Sequence, residues 1–279
     1  MPATPMQPPA ISVVICSIDA RKFAAVTANY RSVLAGTSHE IVGIHDARSL
    51  AEGYNRGARQ ARGDLLIFSH DDVEILSSDL VGALQRAAGS LDVIGVVGTT
   101  RVLWAFWPAA GQPFLRGWIS HPMVDGKRYE VMVYGVDGRV ATGLQGLDGM
   151  FLATTRTVWN RSPFDETVFD GFHGYDIDFT YAAHLAGFRV GTTAEIAVLH
   201  ASSGSFGPEW ARYADRFDAK YGNRLTGTRE IGNWASVRRR LPSKEAIVRE
   251  CTLERLIAAT KVLRAQPMPG EGTRQREGA

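Results

Sequence analysis

The sequence predicts an α/β protein: a mostly parallel central sheet flanked by helices, with a small β-rich insertion and a helical extension near the C-terminal end. Three observations predict it. Short β-branched runs alternate with segments of helical spacing through the first hundred residues, the pattern of strands joined by crossover helices. The runs at 11–18, 40–44 and 65–68 are each followed closely by acidic residues, Asp19, Asp46 and Asp71-Asp72, and open α/β sheets bind ligands at the carboxyl ends of their strands. The chain of 279 residues, 45% hydrophobic and 22% charged, has the composition of a globular protein with a sizeable core.

Composition also excludes several classes. A net charge of +2 creates no global field for nucleic acid. The two cysteines, Cys16 and Cys251, are far apart in sequence, which fits a reducing compartment better than a disulfide framework. The first ten residues, MPATPMQPPA, lack the basic-then-apolar order of a secretion signal. No apolar run has the length needed to span a bilayer. The expectation is a cytoplasmic protein with a disordered arm at 1–10, no nucleic-acid partner, and membrane contact that is at most peripheral.

The first strand is read at Ile11–Ile18, ISVVICSI, closed by Ser17 and Asp19. Phe23, Val26, Tyr30 and Val33/Leu34 have helical spacing over 21–34, and Gly36 stops that helix. A second strand follows at 40–44. Ser49 with Glu52 forms a capping box opening a helix over 49–62. The third strand, Leu65-Leu66-Ile67-Phe68, delivers Asp71 and Asp72. Adjacent carboxylates repel each other, and a hard divalent cation, Mg²⁺ or Mn²⁺, would hold them together. A solvated turn is the competing explanation, since Asp favours turns. A helix capped by Ser77-Ser78-Asp79 and a strand at 93–97 complete this half. Neither GxxxxGK[ST] nor GxGxxG occurs at the first turn, so Walker-type nucleotidases and dinucleotide-dependent dehydrogenases are disfavoured.

The segment 99–146 is rich in aromatics, among them Trp104, Phe106, Trp107, Phe114, Trp118 and Tyr129. They serve either as core or as stacking platforms for the rings of a ligand. Asp137-Gly138 between 129–134 and 139–142 predicts a hairpin. Asp148-Gly149 is a turn dipeptide. A helix is expected from about Tyr175 to Gly187, with Asp176 and Asp178 in its first turn. A short strand at 195–199 ends on His200, followed by a Gly/Ser run that suits a flexible lid. An amphipathic helix over 209–221 closes the domain. Beyond it lie the basic run Arg238-Arg239-Arg240, a helix from Ser243 to about Leu263, and a disordered tail at 266–279. The extension is a candidate contact for a second copy, a homo-oligomer, or for anionic lipid; a solvated basic face explains it as well.

The first strand, the acidic exit of the second, the helix with Tyr54-Asn55-Arg56-Gly57 and the run from Gly63 to Asp72 together resemble the GT-A glycosyltransferases, closest to the family 2-like branch. The resemblance covers about 11–221 and rests on motif order. It implies a GT-A, Rossmann-like fold at 11–222, with a nucleotide-binding half at 11–98 and an acceptor-binding half at 99–222. It also implies metal-dependent transfer from a nucleotide-sugar donor, UDP- or GDP-linked, to a hydroxyl of a glycan or lipid-linked acceptor, with inversion. In that family a DxD-type motif binds the metal; here the slot reads His70-Asp71-Asp72. The resemblance assigns the metal to Asp72 and His200, with Asp71 as helper. It brings Ser17, Asp19 and Asp46 toward the nucleoside, with Asn55 and Arg59 assisting, and Asp148 to an acceptor hydroxyl. The "ED" segment has Tyr175 in place of Glu and gives Asp176 as the general base, with Asp178 as the fallback. Two other classes remain: a metal-dependent phosphoryl-transfer enzyme, which would need a phosphoacceptor or second metal site, and a non-catalytic nucleotide-sugar-binding relative.

Overall fold

β1 (Ile11–Cys16), α1 (Ala20–Val33), β2 (His39–Ile44), α2 (Leu50–Gln60) and β3 (Leu65–Ser69) build the opening unit. β2 and β3 lie on either side of β1 and parallel to it, with Ile11 level with His39 and with Leu65. Val13, Val14 and Ile15 are buried, as are Leu66, Ile67 and Phe68. These strands read as continuous apolar runs because helices cover both faces. The structure is a computed structural model that describes residues 10–202, 204, 206–225 and 235–265. Except for Ala10 the expected arm at 1–10 lies outside the described residues, as do Ser203 and Ser205 of the Gly/Ser run and the tail at 266–279.

The chain continues through β4 (Val73–Ile75), α3 (Leu80–Ala88), β5 (Val93–Gly95), β6 (Val97–Thr99) and a 3-10 turn at Trp107–Ala110. Then come β7 (Leu115–Pro122), β8 (Tyr129–Gly135), β9 (Val140–Ala141), β10 (Gly146–Leu147), β11 (Phe151–Thr155) and α4 (Arg156–Arg161). α5 (Tyr175–Leu185), β12 (Val190–Thr193), β13 (Val198–His200) and α6 (Pro208–Tyr221) follow, and β14 (Val237–Leu241), α7 (Lys244–Glu250) and α8 (Leu253–Ala265) end the described chain. The first sheet runs β2-β1-β3-β11-β5-β12-β9. It is parallel across β2-β1-β3 and between β5 and β12, and antiparallel where β11 sits between β3 and β5. The second sheet runs β10-β6-β7-β13-β4, with β8 on β7 and β14 on β8.

One core lies on the side of α1 and α3, with Val26, Tyr30, Leu80 and Leu84 against the first sheet. Another lies under α2, α5 and α6, through Tyr54, Ala58, Phe179 and Phe217. A third seats Ala246, Ile247 and Leu256 of α7 and α8 on Trp118, Val131 and Val133 of the second sheet. Trp118, one of the insertion's aromatics, is therefore core, and its indole N–H donates to the Ala194 carbonyl.

Three local expectations are corrected. The strand at 93–97 is split at Val96, with β5 in the first sheet and β6 in the second. Asp137-Gly138 does not join a hairpin: β8 pairs with β7 and β14, while β9 pairs with β12. The chain crosses between sheets there, and Arg264 holds the Asp137 carboxylate through both oxygens. The extension is not wholly helical. Arg238-Arg239-Arg240 form part of strand β14, where Arg238 pairs with Glu130 and Arg239 with Glu250. The single helix expected from Ser243 is broken at Cys251 and Thr252, where Thr252 accepts from the Arg255 N–H and starts α8.

Candidate active site

Where β3 ends, the backbone N–H of His70 donates to the Met150 carbonyl, and the turn to β4 carries Asp71 and Asp72. β13 runs antiparallel to β4 and pairs His200 with Val73. This pairing brings His200 to Asp72, with Nε2 3.2 Å from Oδ1. His70 Nδ1 lies 3.4 Å from the same His200 nitrogen and 3.9 Å from Asp72 Oδ1. A single ion bonded to all three at about 2.1–2.2 Å sets donors about 3–3.5 Å apart at angles near 90–110° and about 4 Å apart at wider angles, so the three atoms fit one divalent cation, with the widest angle between His70 and Asp72. Burial raises the Asp72 pKa, but the hydrogen bond and charge of His200 and the charge of His70 overcome it and hold the carboxyl well below its usual range. His70 is pushed down to about 4 by burial and by His200, against the attraction of Asp72. A charged carboxylate and a neutral imidazole are the forms that bind a metal. His70, which stands where the family motif has an acid, is thus a third candidate ligand; its place at the exit of β3 was the sequence signal for it. His121 was not singled out by sequence reasoning. Its Nδ1 bonds the His200 carbonyl from β7.

The second centre is at the start of α5. Gly174 precedes the helix with φ of 76°, a left-handed conformation that favours glycine. Asp176 Oδ2 accepts the Gly149 N–H at 3.0 Å. Gly149 allows this close approach, since a Cβ there would lie 2.4 Å from Tyr175 Oη and 2.5 Å from Asp176 Cβ. Asp148 accepts from the Trp107 indole N–H and from the Met150 N–H. Burial, and then the neighbouring Asp148 charge, push Asp176 up to about 7. Asp178, the fallback, faces elsewhere: it is buried, pairs with Lys220 at 2.7 Å, and accepts from Tyr221 Oη.

Two cavities meet at these groups. The larger, about 980 Å³, is lined by Asp148, Tyr175, Asp176, His121 and His200, with Phe106, Trp107 and Trp210 among its aromatics. The smaller, about 280 Å³, is lined by Ser17, Ile44, Ala47, Asp71 and Asp72. His70, Phe172 and Ser202 line both. Ser17 Oγ donates to Asp71 Oδ2 at 2.7 Å, which ties the exit of β1 to the exit of β3.

Other expected site residues are placed differently. Asp19 is the N-cap of α1, accepting from the Arg21 and Lys22 N–H groups. Asp46 is largely exposed and pairs with Arg56 at 2.7 Å. Two of the expected residues, Asn55 and Arg59, line neither cavity. Asn55 is buried and saturated: its amide donates to the Phe164 carbonyl and to Glu166, and its oxygen accepts from Trp159 Nε1 and the Phe164 N–H. It clasps α2 to the 159–166 segment. Arg59 is exposed on the last turn of α2 and lines neither cavity; Arg56, one turn earlier, is the arginine that reaches the acids. Asn55→Ala is expected to cost about 2–4 kcal/mol by stranding buried partners, read by urea unfolding, while nucleotide affinity per folded molecule is unchanged. Lys220→Ala leaves Asp178 as an uncompensated buried carboxylate, and the expected loss is about 3 kcal/mol, seen as a lower Tm at neutral pH.

A family model described as a glycosyltransferase-like family matches residues 12–221. The chain belongs to this family. The match runs from β1 to the end of α6 and leaves β14, α7 and α8 of this glycosyltransferase outside it. No curated protein matches the chain. Solved structures similar to it include a mannosyltransferase, PcManGT from Pyrobaculum calidifontis, in complex with GDP-Man and Mn²⁺; it is 13% identical, with 95% of this chain and 78% of that chain covered and a TM-score of 0.48. TarS from S. aureus is 12% identical, with 77% and 73% covered and a TM-score of 0.43. A Drosophila galactosyltransferase with manganese, UDP-Gal and xylobiose is 13% identical, with 66% and 64% covered and a TM-score of 0.41. Among the described residues, no helix of the glycosyltransferase is long and apolar enough to cross a membrane.

Proposed function

We propose that this glycosyltransferase moves a sugar from a UDP- or GDP-linked donor to a hydroxyl of a glycan or lipid-linked acceptor, with inversion and with a divalent metal, Mn²⁺ or Mg²⁺. The observation that carries this reading is the position of the His70–Asp72–His200 cluster at the seam of two cavities, with a carboxyl of pKa about 7, Asp176, in the larger one only. The smaller cavity, at the ends of β1, β2 and β3, takes the nucleotide end of the donor, with Ser17 and Asp71 on its wall and Ile18 and Ala47, the chain neighbours of Asp19 and Asp46, beside them. Asp72, His70 and His200 would hold the metal, which when bound supplies positive charge against the leaving diphosphate.

The chain's own groups do the rest. The acceptor enters the larger cavity, where Trp107 and Phe106 offer faces for an apolar ring surface and Asp148 an acceptor for a hydroxyl. Asp176 lines the larger cavity and not the smaller. Its carboxylate, oriented by the Gly149 N–H, takes the proton of the attacking hydroxyl, which otherwise is a poor nucleophile. A pKa near the working pH leaves enough carboxylate present while keeping it basic enough to accept that proton. Attack from the acceptor side, opposite the leaving group, inverts the anomeric carbon.

Calorimetric titration with UDP and with GDP, in Mn²⁺ and then in EDTA, tests the donor half of this reading. Binding in Mn²⁺ that is lost in EDTA is the expected result, and the tighter nucleotide names the donor base. Equal binding with and without metal would overturn the metal-dependent assignment.

A further inference from the structure

The two departures from the family's motif acids touch each other. His70 occupies the first acid's place at the exit of β3, Tyr175 the Glu's place at the start of α5, and Tyr175 Oη is hydrogen-bonded to His70 Nε2. Nδ1 of the same ring is the nitrogen turned toward Asp72 and His200. An imidazole that gives a metal the lone pair of Nδ1 must carry its proton on Nε2. That N–H then needs an acceptor, and the Tyr175 oxygen supplies one. Tyr175 is itself held firmly: it is 4% exposed, its ring packs with those of Tyr54 and Phe164, and its oxygen lies over Gly149.

We propose that Tyr175 is a positioning residue for the metal centre, fixing the His70 ring and its Nε2–H tautomer so that Nδ1 faces the ion. This rests on the metal reading of the cluster given above. Outer partners of ligating histidines act in this way in metal sites generally, setting ring orientation and basicity. Here the partner is a phenol rather than a carboxylate. It therefore adds no negative charge beside Asp72, Asp71 and Asp148. Tyr175 also immediately precedes Asp176, so one turn of α5 carries both the support of the metal centre and the base.

The test is a double-mutant cycle read as Mn²⁺ affinity, by the electron paramagnetic resonance of free Mn²⁺, with the metal alone and with GDP or UDP present. Tyr175→Phe keeps the ring and its packing but removes the oxygen. In the parent background it is expected to weaken Mn²⁺ binding about 10–100-fold. In a His70→Asp background, which keeps a donor atom but has no imidazole to orient, the same change is expected to alter affinity by about twofold or less. Comparable losses in both backgrounds would assign Tyr175 to packing alone and overturn the proposal, as would a Tyr175→Phe protein that binds Mn²⁺ like the parent. A folded parent that binds no Mn²⁺ under either condition would overturn the metal reading itself, and the proposal with it.

Discussion

Asp176→Asn is expected to lower turnover by about 10²–10⁴-fold, the usual contribution of a positioned general base, while metal-dependent binding of UDP or GDP stays at the parent value. The amide keeps the shape and the bond from the Gly149 N–H but cannot take a proton. The carboxyl that does so has its pKa raised to about 7, first by burial and then by Asp148. Below that pH the base is protonated, so kcat/KM of the parent rises about tenfold per pH unit and levels off above it. Because Asp148 and Asp176 interact, the limb belongs to the pair. Asp148→Asn removes the charge that disfavours the Asp176 carboxylate, and the limb moves to lower pH.

The same environment has a sign for stability. The folded pKa of Asp176 lies above the ordinary 3.8, so the folded state binds the extra proton between those two values. Its stabilisation is fully present below 3.8 and is lost as pH rises through about 7. Asp176→Asn should therefore raise Tm relative to the parent at pH 8 and by less at pH 5. An unchanged turnover in Asp176→Asn, or a pH limb that does not move when Asp148 is neutralised, would remove Asp176 as the base.

Asp72→Ala is expected to abolish metal-dependent nucleotide binding, and with it transfer. The carboxylate is the anionic member of the His70–Asp72–His200 set and its removal leaves two imidazoles and no negative charge in the set. The loss in Mn²⁺ affinity should exceed the roughly 10–100-fold typical of losing an outer partner. Calorimetry with Mn²⁺ and GDP or UDP reads this directly. The contrast between the two variants separates the roles: one loses nucleotide and metal together, the other keeps both and loses only the chemistry. An Asp72→Ala protein that still binds nucleotide in a metal-dependent way would move the ion elsewhere.

Much of this was legible in the residues. β1 and β3 could be read because both of their faces are buried, so apolar runs mark them without ambiguity. Asp71-Asp72 and Asp176 could be read because each stands at an element boundary, a strand exit or a helix start, where local pattern is strongest. Asn55 and Arg59 are harder to place from the residues, for the opposite reason. Both lie on a helix whose pattern says which face is buried but not which distant segment it meets, and Asn55 meets 159–166.

By itself, then, the sequence determined the α/β class, the order of the elements and the acids at the strand and helix ends, because apolar periodicity and capping act over a few residues. Only the tertiary structure decided which of those groups form one site. The antiparallel pairing of β13 with β4 puts His200 on Asp72, and the approach of α5 to Gly149 puts Asp176 beside Asp148 and Tyr175 on His70. These contacts join residues more than a hundred positions apart in the case of His70 with Tyr175 and with His200. Chain folding over that span is governed by sheet pairing and core packing, neither of which leaves a local trace in the residues themselves.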